Sequence, residues 1–351
     1  MAVPYSRTIV GNLPWYSVLV VTGIALAVWL ASAEEKRLGL PQDTAVDLAL
    51  AAVPFGIVGA RLYYVLMSWE MFAKHPVSVF YVWQGGLAIY GGVIGGAIGA
   101  WLCAKKKKIR FALVADLIAP GLLLAQAIGR WGNYFNMEAY GPVITDARLQ
   151  FFPLAVWIPS NGNWHAATFF YESVWNLIGF AALWKIRRKQ QTAGNVFAWY
   201  LLIYGAGRFI IEQLRQDSLY LGTMRVSQWL SLALCIAAAL VLVYRVCKAS
   251  KKRWLGCAVC ILLWIARWGM LESHGGYALL MMTAGIAALW MGRESKRSLV
   301  WLIVALVLDG AGLLAAIASW PFDTVAYGFH ATVCSITLPM SVGALCIRQE
   351  K

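Results

Sequence analysis

Charge is what this chain has least of. Only 13% of its 351 residues are Asp, Glu, Lys or Arg, and just 16 of them are acidic. A soluble domain carries about a quarter charged residues, so a water-exposed globule is excluded. Histidine is rarer still, with four scattered singly. The seven cysteines lie mostly within apolar stretches, and the CxxC pair Cys257 and Cys260 has no second pair or nearby histidine. A zinc site is therefore not expected, nor any other metal or cofactor. A cleavable signal peptide is also missing from the reading: residues 1–13 are polar, and the apolar run after them is long enough to span. No internal repeat of the kind that builds many transporters is evident.

What the chain does have is apolar length. Hydrophobic residues make up 61% of it, with 18 tryptophans and 15 tyrosines suited to the two interfaces of a bilayer. Runs of about twenty apolar residues recur between polar breaks, the signature of an all-α polytopic integral membrane protein. Eleven stretches qualify, roughly 14–33, 45–68, 83–103, 111–134, 167–185, 195–213, 226–244, 254–271, 277–291, 298–318 and 325–346. The first seven, within 1–250, carry the dense polar motifs. Residues 251–351 read as an appended module of about four further spans.

The basic residues fall on one side. Alternate loops containing "EEKR", "KKKKIR", "KIRRKQQ", "RVCKASKKR" and "GRESKR", with the tail "RQEK", hold 21 of the 30 Lys and Arg. The opposite loops hold five: Arg7, Lys74, Arg148, Arg215 and Arg225. By the positive-inside rule the N-terminus lies outside and the C-terminus in the cytoplasm. The net charge of +14 is thus a topology signal and not a nucleic-acid surface. Two outer segments stand out. Residues 137–166 are turn-rich and partly apolar and should form an external cap; residues 68–82 should lie along the membrane surface.

Ionisable groups inside a span are costly and mark functional sites. With a rise of about 1.5 Å per residue, Tyr16, Arg61, Tyr90, Arg130, Glu172 and Arg208 all fall in the outer half of their six spans. Asp116 is an exception, near the cytoplasmic end. Arg130, Asn133 and Asn136 are three apart, and Arg208, Glu212 and Arg215 are spaced four and three, so each triple can share a helix face. Two arginines with few carboxylates imply a net-positive chamber below the outer surface. Its natural occupant is an anion, and a bidentate guanidinium suits phosphate, so a phospholipid is the economical ligand. Arg267, in "IARWGMLES", reads as structural. In "QGGLAIYGGVIGGAIGA" small residues repeat every four in two registers: Gly91, Gly95 and Gly99, or Gly92, Gly96 and Ala100. Either lets another helix approach closely, and the Gly91–Gly92 pair could also leave room for a ligand beside Tyr90.

At these residues the chain resembles the phosphatidylglycerol–prolipoprotein diacylglyceryl transferase family. The likeness runs from about Leu13 to Arg245 and rests on "GRWGNYFNMEAYG" at 129–141. Support comes from "LPWYS", "GARLYYVL", "GGLAIYGGVIGG", "FFYESVWN" and "YGAGRFIIEQLRQD", in the family's order. The resemblance implies a seven-helix enzyme of the bacterial plasma membrane, its site facing the outer leaflet. It would move a diacylglyceryl group from phosphatidylglycerol to the lipobox cysteine of a prolipoprotein signal peptide. A thioether forms and glycerol phosphate leaves, the first step of lipoprotein maturation. Membrane lipids are partners; nucleic acid is not.

By that likeness Arg130 and Arg208 are the essential arginines, with Tyr16, Tyr90, Asn133, Glu138, Gly141, Tyr204 and Glu212 also carried over. We expect Arg130, Arg208, Tyr90, Asn133 and Glu138 in catalysis. Tyr16, Arg61, Asn136, Gly141, Tyr204, Glu212 and Arg215 are expected to bind substrate, and Glu138 and Glu212 to orient the arginines. Many members have His where this chain has Tyr90. A phenol is a poor base at neutral pH, so the general base stays unassigned. A related transferase with another acceptor, a lipid-binding homologue without activity, and an anionic-lipid transporter are the alternatives.

Overall fold

The computed structural model describes residues 7–9, 11 and 13–249, with breaks at 190–191, 213, 216–219 and 222–223. The expected module at 251–351, its four spans, Arg267 and the Cys257–Cys260 pair lie outside the described residues.

The described chain is mostly helical. Seven helices have 18 residues or more: α1 (Trp15–Glu35), α2 (Thr44–Met67), α4 (Ile89–Lys106), α5 (Phe111–Asn136), α6 (Thr168–Ile186), α7 (Asn195–Glu212) and α8 (Val226–Ala249). A short α3 (Trp69–Lys74) follows α2. Of these, α1, α2 and α5 are long and apolar enough to cross a membrane. Large apolar side chains point outward, among them Leu50, Leu62 and Leu66 on α2 and Val93 and Ile94 on α4. Such a surface would be a liability in water and is the ordinary exterior of a protein dissolved in lipid.

Two details differ from the sequence reading. The structure is not purely α. Two antiparallel pairs interrupt the helices: β1 (Ala155–Ile158) with β2 (Asn163–Ala166), and β3 (Tyr220–Leu221) with β4 (Met224–Arg225). Four-residue strands are too short to show an alternation. The first pair forms because Gly162 takes φ 66° in the connecting turn and Trp157 meets Trp164 across the strands, centroids 6.0 Å apart. The expected span at 83–103 also begins later, at Ile89. Gly85 and Gly86 adopt φ 90° and 71°, outside the helical region, and a 3-10 turn covers 82–84.

Small residues set the helix contacts. On α4 a side chain at Gly91 or Gly95 would put its Cβ 2.2 Å from the carbonyl oxygen of Gly59 or Phe55 on α2. Gly92 and Gly96 have ordinary room, 3.6 Å. The first glycine register is therefore the α2–α4 contact, and the Gly91 position is filled by a neighbouring helix. Similar approaches join Gly23 to Ala125 and Gly121 to Ala27, between α1 and α5. A second core, with Leu123, Leu183, Trp199 and Leu242, lies among α5, α6, α7 and α8.

The basic end of the bundle is tied by ion pairs and caps. Glu34 bridges Arg37 and Arg187, the latter at 2.7 Å, joining α1 to the end of α6. Lys107 meets Asp47 at 2.5 Å, and that hydrogen bond raises the lysine's pKa. Asp116 on α5 accepts from the backbone N–H groups of Gly194 and Phe197 at 2.6 and 2.8 Å. It thus caps the N-terminus of α7 from a different helix, where a carboxylate also complements the helix dipole. Replacing Asp116 with Ala leaves both donors without their acceptor. We expect a loss of about 2 kcal/mol, read as a lower thermal midpoint in detergent; an unchanged midpoint would remove this capping role.

Candidate active site

The polar residues expected in the outer halves of their spans gather at the opposite end. On α5, Asp116 and Arg130 are separated by about 21 Å of helix. The last two turns of α5 carry Arg130, Asn133 and Asn136. The helix then stops because Met137 enters the left-handed region at φ 55° and the Glu138 N–H donates to the Asn133 carbonyl at 3.1 Å. This six-to-one closure is a Schellman end, and it folds Glu138 back over the turn it terminates. The Glu138 carboxylate accepts from Nδ2 of Asn133 at 2.9 Å and of Asn136 at 3.2 Å. Asn133 in turn accepts from Arg130 at 3.4 Å.

Helix α6 starts just beyond the cap and presents Glu172 after one turn, only 3% exposed. The rotation of α6 is fixed by a relay: Trp131 Nε1 donates to Ser173 Oγ at 3.2 Å, and Ser173 donates to the Ala127 carbonyl at 2.9 Å. Packing of Trp131 against Phe152, Phe169 and Phe170 completes the lock. With that register, Glu172 Oε1 lies 2.6 Å from Arg130 Nη2. Its other oxygen faces Arg208 Nη1 on α7 at 3.4 Å. Arg208 also meets Glu212 one turn later at 2.6 Å, and Glu212 is 3.9 Å from Arg215. The result is a charged ladder across three helices, running Arg130, Glu172, Arg208, Glu212, Arg215.

Tyr204, one turn before Arg208, stands within electrostatic reach of Arg208, Glu172, Arg130 and Tyr90. Its ring stacks on Tyr200 at 5.9 Å, and the Tyr200 hydroxyl accepts from Gln126 at 3.1 Å. Tyr90, on the first turn of α4, is exposed, and its ring lies 6.3 Å from that of Tyr63 on α2.

Three expected site residues sit elsewhere. The Arg61 guanidinium donates to the carbonyls of Ser78, Val79, Gly85 and Gly86 at 2.6 to 3.0 Å. It pins the segment after α3 to α2 and does not join the other arginines. Tyr16 packs against Gly132, on a different side of α5 from Arg130. Gly141 belongs to the cap: its N–H donates to the Ala166 carbonyl at 2.9 Å, and its own carbonyl meets buried His165 Nδ1 at 2.7 Å. A Cβ there would press on Ala166 and Thr168.

The orienting carboxylates also differ from expectation. Glu212 holds Arg208, but Glu138 reaches Arg130 only through Asn133. The group touching both arginines is Glu172, which the sequence placed at the right depth without giving it a role. A single glutamate early in an apolar span was the available signal. Nor is the cluster strongly positive, since three arginines face two glutamates with Glu138 close by. Chemically, the arrangement offers two guanidiniums from different helices, held by carboxylates and aimed at one region, next to amide and phenol donors.

Residues 5–244 match the family model described as prolipoprotein diacylglyceryl transferase. Among similar proteins, the phosphatidylglycerol–prolipoprotein diacylglyceryl transferase of Enterococcus faecalis is 46% identical over 238 residues, 66% of this chain and 86% of that one. The protein of that name from Streptococcus agalactiae is 44% identical over 238 residues, 67% of this chain and 92% of its own. A Bacillus cereus protein of the same name is 43% identical over 246 residues, covering 69% and 91%. The match includes every rung of the arginine ladder and stops before the last hundred residues. The chain belongs to the prolipoprotein diacylglyceryl transferase family.

Proposed function

We propose that this protein transfers the diacylglyceryl group of phosphatidylglycerol to the thiol of a prolipoprotein's lipobox cysteine. The observation that carries the reading is the sharing of one carboxylate, Glu172, by Arg130 and Arg208. Two cations on separate helices are thereby held close enough to address two oxygens of one phosphate.

In this reading the cysteine sulfur attacks the glycerol carbon that bears the phosphate. The S–C bond forms, the C–O bond breaks, glycerol phosphate departs with the electron pair, and the thiol's proton passes to water or to the departing phosphate monoester. Charge grows on the departing phosphate, so cations fixed beforehand lower the barrier without any proton transfer of their own. Arg130 binds the phosphate and stabilises the leaving group. Arg208 shares that charge or draws in the thiolate, which a neighbouring cation favours because a free thiol has a pKa of about 8.5. Asn133, Asn136 and Glu138 form a hydrogen-bonded set that steadies Arg130 and positions the head group. Tyr90 and Tyr204 line the approach. Glu212 keeps Arg208 in place, with Arg215 as its outer neighbour. Tyr16, Arg61 and Gly141 act through the wall, the surface segment and the cap.

The seven long helices cross the bacterial plasma membrane with the N-terminus outside. The ladder then opens to the outer leaflet, where both the lipid and an exported precursor are found. The basic loops at the Asp116 end support this orientation.

The deciding experiment incubates the purified full chain with phosphatidylglycerol vesicles and a lipobox peptide. Mass spectrometry should show the peptide gain one diacylglyceryl group on cysteine, and a Cys→Ser peptide should gain none. No mass gain with the first peptide, under conditions where a relative from the family is active, would reject the assignment.

A further inference from the structure

Glu172 holds a position that the proposed phosphate would need. Its two oxygens face two guanidiniums on different helices, the pattern expected of two phosphate oxygens between the same arginines. The two links are unequal. Arg130 Nη2 stands 2.6 Å from Oε1 as an ion pair without hydrogen-bond geometry, whereas Arg208 Nη1 donates to Oε2 across a slack 3.4 Å. Arg208 has independent support from Glu212 at 2.6 Å, so losing Glu172 does not release it. The carboxylate is almost fully buried, and the two arginine side chains facing it are 19% and 15% exposed. In such surroundings an arginine left without an anion is costly.

We propose that Glu172 is a resident counter-anion, which keeps Arg130 and Arg208 paired and aligned until a phosphate takes its place at Arg208. This deepens the function proposed above and rests on it. Glu172 acts through the arginines and is a positioning residue. Substrate phosphate competes with the chain's own carboxylate and opens the slack contact first, while Glu212 holds Arg208 still. A cradle built this way stays desolvated without substrate and releases its product more readily, because the glutamate can return.

The test compares the full-length parent with Glu172→Gln and Glu172→Asp in detergent micelles. Inorganic phosphate serves as the probe, against sodium chloride at matched ionic strength. Neutralising the competitor should tighten phosphate binding. In Glu172→Gln we expect phosphate to act at a concentration at least fivefold lower than in the parent, read from the rise in thermal midpoint. Peptide lipidation should fall at least tenfold in kcat with KM for phosphatidylglycerol unchanged or lower. Lost packing alone would lower stability without tightening an anion site. If the Gln variant does not accumulate, Glu172→Asp decides. Its shorter carboxylate cannot span both guanidiniums, so phosphate should act at a concentration at least twofold lower. Equal or weaker phosphate binding in the variant measured overturns the proposal. Near-parent turnover in Arg130→Lys is a different failure, since it removes Arg130 from the phosphate contact and leaves the transfer reading standing; that reading fails only if the parent itself lipidates no peptide.

Discussion

Arg130→Lys is expected to reduce transfer by about 100- to 1,000-fold while the protein stays folded in the membrane. The size follows from what removal of one preorganised transition-state donor costs in other enzymes. Charge alone does not rescue it. Arg130 addresses Glu172 through Nη2 and Asn133 through Nη1, two directions fixed by one planar group. Lysine offers a compact ammonium that rotates about its stem and cannot hold both partners while meeting a phosphate oxygen. The fold should tolerate the change. Helices α5 and α6 are locked through Trp131, Ser173 and the Ala127 carbonyl, none of which needs the guanidinium. Lipid labelling of a lipobox peptide, normalised to protein recovered from the membrane, gives the answer. Turnover within tenfold of the parent would withdraw Arg130 from the phosphate contact.

Gly95→Ala is expected to be among the most damaging single methyl additions in the described chain, and Gly96→Ala next to it nearly silent. The added Cβ at Gly95 would lie 2.2 Å from the Phe55 carbonyl oxygen and 3.1 Å from the Gly59 Cα. Both are backbone atoms, which no rotamer change can move aside. Helices α2 and α4 must separate, at a cost of about 3 kcal/mol or more. In lipid, where close backbone approach drives helix association, little else replaces that contact. The Gly96 Cβ would sit 3.6 Å from the Ala52 carbonyl, an ordinary distance. Activity should fall with folding in Gly95→Ala, since α4 carries Tyr90 and α2 carries the Arg61 pin. Thermal unfolding of both variants in the same detergent tests the pair. Equal midpoints would mean that α2 and α4 do not meet through this register.

Among the described residues, which stretches are helical and that Arg130 and Arg208 lie towards the ends of their helices away from Asp116 were legible in the residues alone. Hydropathy, charge and a fixed rise per residue are local properties that run along one helix. Residues that meet across helices were not legible, because the rotation of each helix about its own axis is set by neighbours distant in sequence. Both glycine registers of α4 looked equally able to pack, and only the position of Phe55 and Gly59 on α2 separated them. Arg61 has the same depth as Arg130 yet turns to four carbonyls of the following segment, since that loop folds back within its reach. Glu172 became the bridge because Trp131 and Ser173 set the register of α6 on α5. The glutamate's depth was written in the sequence, but its two arginine partners were decided by packing.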